Sequence, residues 1–526
     1  MKYPTVSLLL TFGLLAAGVA IGAPAIGTAA PAGTAATADA ADDRGATAQG
    51  GSVTALPDSS PPVTLSACHL EDPAKVSVVL AECGELSVLE NPADSNGRRI
   101  RLHLARVPAI NRHKRPDPLF VLAGGPGMAA TTFYASVSFS FERIHRDRDI
   151  VLVDQRGTGQ SNPLNCALDD DALYHASDAE IGADARRCLT KLEKTARVEF
   201  YTTSIAVRDL DAVRAALGYE RINLYGVSYG TRVAQHYVRR FPNRVRSVIL
   251  DGVVPPQLAL GPATALNAEH ALGRILARCA NDSECKKHFG DPSVSYRALR
   301  NTLQTRPVPV SLPDPTSGEP SKLDFTGYHL ASVLRLGSYT AEQAALLPLM
   351  LHGATDSANF VPLASQFLLV NRSYGDALAY GMHNSVVCSE DVPFWDLAKV
   401  NRTELEKTYM GTAQLDGLRS ICSIWPHGPV DPDFHEQLHA DVPALLLSGS
   451  DDPVTPPGDA EDARRALTHS VHVILKGFGH GQLTAPCVDK VMADFTNRGG
   501  IEGLDVSCVQ NDRPMPFFVT LGGPSP

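Results

Sequence analysis

The sequence predicts an α/β fold in which a mostly parallel β-sheet is interrupted by one mainly helical insertion. Short, nearly continuous apolar runs recur along the chain, and such runs are typical of strands buried on both faces of a parallel sheet. The runs are 118–123, 149–153, 222–225, 248–250, 443–447 and 471–475. A helical pattern separates two of them, and alternation of strand, helix and strand is the signature of an α/β sheet.

The first elements follow from side-chain periodicity. Residues 100–107 alternate apolar and polar side chains, which predicts a strand with one solvated face. Residues 204–218 place apolar side chains on one helical stripe. Ser204 is the predicted N-cap of this helix because its hydroxyl can accept from unpaired backbone N–H groups, and Gly218 is predicted to end it.

The middle of the chain loses the strand pattern. Between about 254 and 432 helix-like segments dominate, such as 263–278 and 341–352. We expect residues 254–432 to form a helical cap over the carboxyl edge of the sheet. The sheet itself is then divided between residues 63–253 and 433–526.

The first 62 residues are expected to lie outside this fold. Lys2 and the mostly apolar run 6–21, followed by small residues, predict a secretory signal peptide over 1–23. The alternative is a membrane anchor, but the run is short for a span and no stop-transfer cluster follows it. Residues 24–62 are rich in Ala, Thr, Gly, Ser and Pro and predict a disordered linker. The expected location is secreted or periplasmic.

The charge of the chain excludes some classes of partner. The 526 residues carry a formal net charge of -10 and contain no block of Lys and Arg. This balance argues against nucleic acid and against stable association with an anionic membrane surface after signal cleavage.

Cysteine usage agrees with export. The chain has 10 cysteines, an even count that suggests disulfides in an oxidising compartment. Because short loops close at the least entropic cost, we expect sequence neighbours to pair. The predicted pairs are Cys68–Cys83, Cys166–Cys188, Cys279–Cys285, Cys388–Cys422 and Cys487–Cys508. No CxxC or Cys/His spacing suggests a metal site.

The stretch LYGVSYGT places Ser228 between Gly226 and Gly230. It follows a predicted strand and precedes the helix-like residues 232–238. This is the context of a nucleophile elbow, in which the glycines allow a sharp turn that holds the serine hydroxyl exposed. A turn serine flanked by chance glycines is the alternative.

A serine nucleophile requires a base and an orienting acid. Residues 447–453 end one predicted strand in a turn that holds Asp451 and Asp452, and these two compete for the role of the acid. The one that does not take it is a turn residue that hydrogen-bonds its own backbone. His480 follows the next strand in a glycine-rich loop, and its place one strand after the acidic turn favours a base over a surface histidine.

The developing oxyanion also needs backbone donors. The N–H of Tyr229, directly after the nucleophile, is one candidate. Residues 123–128, AGGPGM, follow an early strand and predict the second donor at Gly125. A plain Gly/Pro turn is the alternative.

Together these motifs resemble a known family. GGPG, the stretch VDQRGTGQS at 153–161, GVSYGT, DPVTP at 452–456 and GFGHG are similar to the prolyl- and tripeptidyl-aminopeptidase family of α/β-hydrolases. The similarity runs from about Cys68 to Cys508. It implies a secreted serine exopeptidase that acts on peptides with a free N-terminus, uses no cofactor and takes its acid from Asp452. Ala123 departs from the His that prolyl aminopeptidases often have before the double glycine.

The resemblance also implies acidic side chains in the cap that bind the substrate ammonium. Glu390 and Asp391 follow Cys388, which would hold their backbone still, so we expect Glu390, with help from Asp391, to bind the α-amine. A solvated turn before Pro393 is the alternative. Asp154 and Arg156 are interpreted as structural turn residues near the site.

Two other functions stay open at this point. The fold and the triad do not fix the leaving group, so an esterase or amidase for a small acyl substrate is the first alternative. A non-catalytic binding protein of the same fold is the second.

Overall fold

The computed structural model describes residues 63–166, 178–375, 377–511 and 513–524. The predicted signal peptide (1–23) and linker (24–62) lie outside the described residues. The strands are β1 (Ser66–Glu71), β2 (Val78–Leu89), β3 (Arg99–Val107), β4 (Leu119–Leu122), β5 (Ile150–Val153), β6 (Ile222–Val227), β7 (Val245–Asp251), β8 (Val308–Pro313), β9 (Pro320–Phe325), β10 (Ala444–Gly449) and β11 (Ser470–Leu475).

Nine of these strands form one sheet in the order β1-β2-β3-β5-β4-β6-β7-β10-β11. The six strands from β5 to β11 in this order pair in parallel, whereas β1, β2, β3 and β5 pair antiparallel. Every residue of β4, β5, β6 and β10 is buried, as the apolar runs predict. The predicted mostly parallel α/β sheet is confirmed.

The helices fall into two groups along the chain. Those outside the insertion are α1 (Ala130–Val137), α2 (Glu142–His145), α3 (Asp178–Leu192), α4 (Thr203–Ala216), α5 (Tyr229–Arg240), α15 (Pro457–Arg464), α16 (Val488–Arg498) and α17 (Ser507–Gln510). Those between β7 and β10 are α6 (Thr264–Asn281), α7 (Ser283–Phe289), α8 (Pro292–Thr305), α9 (Gly327–Gly337), α10 (Ala341–Asp356), α11 (Val361–Gly375), α12 (Tyr380–Glu390), α13 (Arg402–Glu406) and α14 (Ala413–Cys422).

The insertion is mainly helical, as predicted, and most of its helices share an apolar cluster of their own. It also contains the antiparallel hairpin β8–β9, which the sequence did not reveal. Phe517 and Val519, which lie near the C-terminus, also pack into this cluster. The N–H of Phe518 donates to the carbonyl oxygen of Ala345 at 3.1 Å. The domain boundaries 63–253, 254–432 and 433–526 stay predictions.

Helix α4 begins earlier than predicted. Its N-cap is Thr202, not Ser204. The Ser204 hydroxyl instead accepts from the backbone N–H of Asp431 at 2.9 Å, a partner 227 residues away that sequence-local reasoning does not supply. The end at Gly218 agrees with its positive φ of 78°.

The structure joins the cysteines in the five pairs that the sequence predicts, with Cα–Cα distances of 5.0–6.3 Å. Cys487–Cys508 ties the start of α16 to α17, close behind the loop of His480. Within the described ranges, none of the helices has the length and apolar character needed to cross a membrane.

Candidate active site

Ser228 occupies a sharp turn between β6 and α5. Its backbone has φ 55° and ψ -124°, a conformation that is strained for a residue with a side chain and that occurs at functional turns. Gly226 and Gly230 permit this turn. A Cβ atom on Gly226 would overlap the Gly230 carbonyl oxygen, and one on Gly230 would overlap that of Leu122. The local geometry is that of a nucleophile elbow.

Asp452 and His480 form a buried pair. The Nδ1 atom of His480 lies 2.8 Å from Oδ2 of Asp452, and both side chains are at most 1% exposed. Oδ1 of Asp452 accepts from the backbone N–H groups of Val454 and Thr455 at 2.7 and 2.8 Å, and Oδ2 accepts from the Thr455 hydroxyl at 2.9 Å. The turn therefore fixes the carboxylate so that it orients the imidazole.

Asp451 points to different partners. Its carboxylate lies 3.3 Å from Nε of Arg274 and 4.0 Å from Nε of Arg278, both on α6 of the cap. The structure thus brings Asp452 to His480 and uses Asp451 to join the sheet to the cap.

Ser228 and His480 meet at the carboxyl end of β7. The Ser228 N–H donates to the carbonyl oxygen of Asp251 at 2.9 Å. A Cβ atom on Gly252 would lie 3.1 Å from Cε1 of His480. No hydrogen bond joins the Ser228 hydroxyl to His480 within the part of the chain that the structure describes. Catalytic hydrogen bonds are often long in the free enzyme and tighten when substrate binds. The missing hydrogen bond is therefore compatible with Ser228 as a nucleophile and His480 as its base.

The expectation that the Ser228 hydroxyl is exposed is wrong. Ser228 and His480 are each only 4% exposed. Tyr339, between α9 and α10 of the cap, packs against His480. Its carbonyl oxygen accepts from the His480 N–H at 2.7 Å, and its ring centroid lies 5.2 Å from that of His480. This cap residue therefore helps to shield His480 from water, which strengthens electrostatic interactions of the imidazole.

Asp251, at the end of β7, was not singled out from the sequence. Its carboxylate accepts from the Gln482 N–H at 2.8 and 2.9 Å and from the Tyr225 hydroxyl at 2.8 Å. Burial raises the pKa of Asp251 to about 6. Because Gln482 lies two residues after His480, Asp251 positions the histidine loop. A carboxylate directly after the apolar run 248–250 was the signal that could have found it.

The glycine-rich loop after β4 lies against both the elbow and the cap. Gly230 of the elbow packs on the carbonyl oxygens of Leu122 and Ala123. On the other side, the carbonyl oxygen of Gly127 accepts from the Ala379 N–H at 3.0 Å, just before α12. Gly125 lies two residues after Ala123 in this loop, and its role as an oxyanion donor with Tyr229 stays a prediction.

Asp154 and Arg156 lie buried below the site. Asp154 accepts from the N–H and hydroxyl of Thr131 at 3.0 and 2.8 Å. Arg156 pairs with Asp209 through Nε at 2.6 Å and also donates to backbone carbonyls. These contacts hold turns together and do not reach Ser228, which is the structural role predicted for both.

Glu390 ends α12 and is fully buried. Its Oε1 accepts from the Thr203 N–H at 2.6 Å and its Oε2 from the Thr203 hydroxyl at 2.8 Å. That hydroxyl lies 2.6 Å from the hydroxyl of Tyr229, the residue after Ser228. Burial raises the pKa of Glu390 to about 7, against the opposing effect of Arg232.

Asp391 is held more tightly. Both of its oxygens contact the guanidinium of Arg232, at 2.9 and 3.1 Å, and Oδ1 also accepts from the Leu260 N–H at 2.7 Å. Arg232 lies 4.0 Å from Glu390 and so pairs mainly with Asp391. Glu390 and Asp391 are 0% and 1% exposed, so they do not form a solvated turn.

Comparison with known proteins places the chain in a family. Residues 407–508 match the family model described as TAP-like protein, and residues 117–280 match that of the alpha/beta hydrolase fold. The chain is 31% identical over 468 residues to the tripeptidyl aminopeptidase of Streptomyces lividans. The alignment covers 83% of this chain and 85% of that protein. The chain belongs to the tripeptidyl-aminopeptidase-like family of α/β-hydrolases.

Other relatives show the range of the family. Serine protease Hip1 of Mycobacterium tuberculosis is 26% identical over 431 residues, covering 75% of this chain and 81% of that protein. Carboxylesterase B of the same species is 26% identical over 550 residues, covering 96% and 98%. The resemblance inferred from the motifs is confirmed, and the chain is a serine hydrolase of the peptidase-like type.

Proposed function

We propose that this serine hydrolase is an exported exopeptidase that cleaves peptides near a free N-terminus. The observation that carries the proposal is Glu390, a fully buried carboxylate connected through Thr203 to Tyr229, next to the nucleophile. An ester or amide without a free amine brings no positive charge to this buried carboxylate, whose hydrogen bonds from Thr203 are neutral, whereas a substrate ammonium does. Similarity to a tripeptidyl aminopeptidase supports the same substrate class.

The reaction is acyl transfer through three side chains. His480 takes the proton of Ser228, whose oxygen attacks the scissile carbonyl, while Asp452 holds the imidazole at 2.8 Å in the required tautomer. The N–H groups of Gly125 and Tyr229 stabilise the oxyanion. His480 then protonates the leaving amine, and water releases the acyl group in a second half-reaction that needs no cofactor.

Glu390 binds the ammonium because Asp391 leaves it free to do so. Asp391 takes both strong contacts of Arg232, so the guanidinium neutralises that carboxylate and stays 4.0 Å from Glu390. A substrate ammonium would supply the positive charge that Glu390 lacks. Asp391 thus assists amine binding by positioning Arg232.

Glu390→Gln is expected to raise KM for free-amine peptides at least about tenfold, because a charge-assisted hydrogen bond is replaced by a neutral one. KM for a small neutral ester should change much less, since the ester carries no ammonium. Steady-state kinetics on both substrates measure the effect. Glu342→Gln, an exposed glutamate on cap helix α10, is the matched control.

Blocked substrates test the same step in the parent enzyme. A peptide with an acetylated N-terminus should be cleaved at least about tenfold more slowly than its free form. Equal rates would refute amine recognition and favour the esterase or amidase alternative, to which similarity with carboxylesterase B also points. Failure to cleave either peptide or ester would favour the non-catalytic binding protein.

The pH dependence supplies an independent test. Glu390, with its pKa raised to about 7, binds an ammonium only when ionised. The substrate α-amine loses its charge above a pKa of about 8. The ratio of kcat/KM for a free peptide to kcat/KM for the ester should therefore rise up to about pH 7 and fall again above about pH 8. A ratio that stays constant from about pH 5.5 to 7 would contradict the role of Glu390.

Export is part of the proposal. Five disulfides join all ten cysteines, which fits an oxidising compartment such as the periplasm or the exterior of the cell. The proposed signal peptide over 1–23 would direct the chain there.

A further inference from the structure

Arg335, on helix α9 of the cap, is a buried cation without an acidic partner. It is 5% exposed, and no carboxylate lies within 4 Å of its guanidinium in the ranges that the structure describes. Nη1 donates to the side-chain oxygen of Gln414 at 3.1 Å, while Nε has no hydrogen-bond partner. A buried charge is costly unless it is paired, so the free protein leaves this guanidinium incompletely satisfied.

Arg335 lies four residues before Tyr339, the cap residue that packs against His480. Its guanidinium interacts with the side chain of Tyr339, whose ring packs against His480 at 5.2 Å between centroids. Its charge also lowers the pKa of His383, whose imidazole hydrogen-bonds the backbone of Pro126 in the loop after β4. Arg335 therefore lies close to the cap residue that packs against the base.

The neighbouring groups do not neutralise it. Burial, with a smaller contribution from Arg335, lowers the pKa of His383 to about 4, so this imidazole is neutral and can donate a hydrogen bond. Four acidic residues near the site already have partners within the protein. Asp452 pairs with His480, Asp391 with Arg232, Glu390 with Thr203, and Glu269 with Tyr296 and the Tyr409 N–H.

We propose that Arg335 binds a carboxylate of the peptide segment that leaves after cleavage. The inference rests on the proposed peptidase function. His480 protonates the leaving amine, so the groups packed against its ring line the leaving side of the cleft, and Tyr339 links Arg335 to that ring. A guanidinium in this position can hold a carboxylate through two parallel hydrogen bonds.

Two carboxylates satisfy this chemistry. One is the side chain of an acidic residue just after the scissile bond, and the other is the C-terminal carboxylate of a short peptide. Four peptide substrates with the same free N-terminus distinguish these two possibilities. The peptides carry either Glu or Gln directly after the scissile bond, and each ends in either a free carboxylate or an amide. Values of kcat/KM are measured by following product release with mass spectrometry.

For one of the two pairs, Glu against Gln or free acid against amide, kcat/KM of the parent enzyme should be at least about tenfold higher for the peptide with the carboxylate. Arg335→Gln should reduce this ratio to less than about twofold, and Arg335→Lys, which keeps the charge but loses the paired geometry, should give an intermediate ratio. Because each ratio is taken within one enzyme, a general loss of activity cancels. Arg297→Gln, an exposed arginine of cap helix α8, should keep the parent ratio.

The outcomes separate the two proposals. Cleavage of all four peptides by the parent enzyme at equal kcat/KM would overturn the role of Arg335 while leaving the peptidase function intact, and it needs no variant. A preference that persists unchanged in Arg335→Gln would also overturn it. If the parent hydrolyses a small ester but none of the peptides, both the exopeptidase proposal and this one fail.

Discussion

Ser228→Ala is expected to abolish turnover of peptides and esters, with a loss in kcat of up to about a million-fold if the triad acts as a unit. The alanine removes the only oxygen at the elbow that can attack the scissile carbonyl, while the pair of Asp452 and His480 remains in place at 2.8 Å. His480→Ala should be similarly severe, because an unactivated serine is a weak nucleophile.

The fold should survive this substitution. Ser228 has a small side chain that makes no hydrogen bond among the described residues, so the midpoint of thermal unfolding should stay close to that of the parent. Ser136→Ala, on helix α1, is the control for loss of a serine hydroxyl away from the site. Substantial turnover by a folded and sequence-verified Ser228→Ala sample would exclude Ser228 as the nucleophile.

Asp452→Asn is expected to lower kcat by about ten-thousand-fold, because an amide favours the wrong imidazole tautomer and cannot stabilise the imidazolium. Asp451→Asn should lower it by less than about tenfold. That carboxylate contacts Arg274 and Arg278 of the cap and not His480. The two variants differ by one sequence position, so each serves as the control for the other.

A larger loss in Asp451→Asn than in Asp452→Asn would show that the acid has been assigned to the wrong residue. Thermal unfolding measured in parallel separates the two roles. Loss of the Arg274 contact should affect the stability of the protein more than its chemistry, whereas the Asp452 substitution should do the reverse.

Much of the fold was predictable because its central strands are buried on both faces. The runs 118–123, 149–153 and 443–447 contain few polar residues, and this composition leaves little alternative to a central parallel strand. The hairpins β1–β2 and β8–β9 were missed. Their strands lie half exposed, and side chains such as Leu80, which is 77% exposed, break the alternation that marks a one-sided strand.

The candidate site residues that lie within short sequence motifs could be predicted from the sequence. Short motifs carry Ser228, His480 and the pair of aspartates, and the glycines beside Ser228 reveal its turn. The positions of Asp251 and Arg335 depend on contacts between distant segments, such as that of Asp251 with Gln482, 231 residues apart. The burial of Ser228 was missed for the same reason, because burial depends on the assembled fold.

The return of the chain end to the cap limits how this protein can be recombined. Phe517 and Val519 fill space among the cap helices, and the Arg278 guanidinium stacks 4.5 Å from the Phe517 ring centroid. A chimaera that exchanges only residues 254–432 with a relative would leave these side chains facing a surface they did not evolve with. To transfer substrate preference from a relative, the exchange must therefore include both the relative's cap and its segment equivalent to residues 513–524 of this chain.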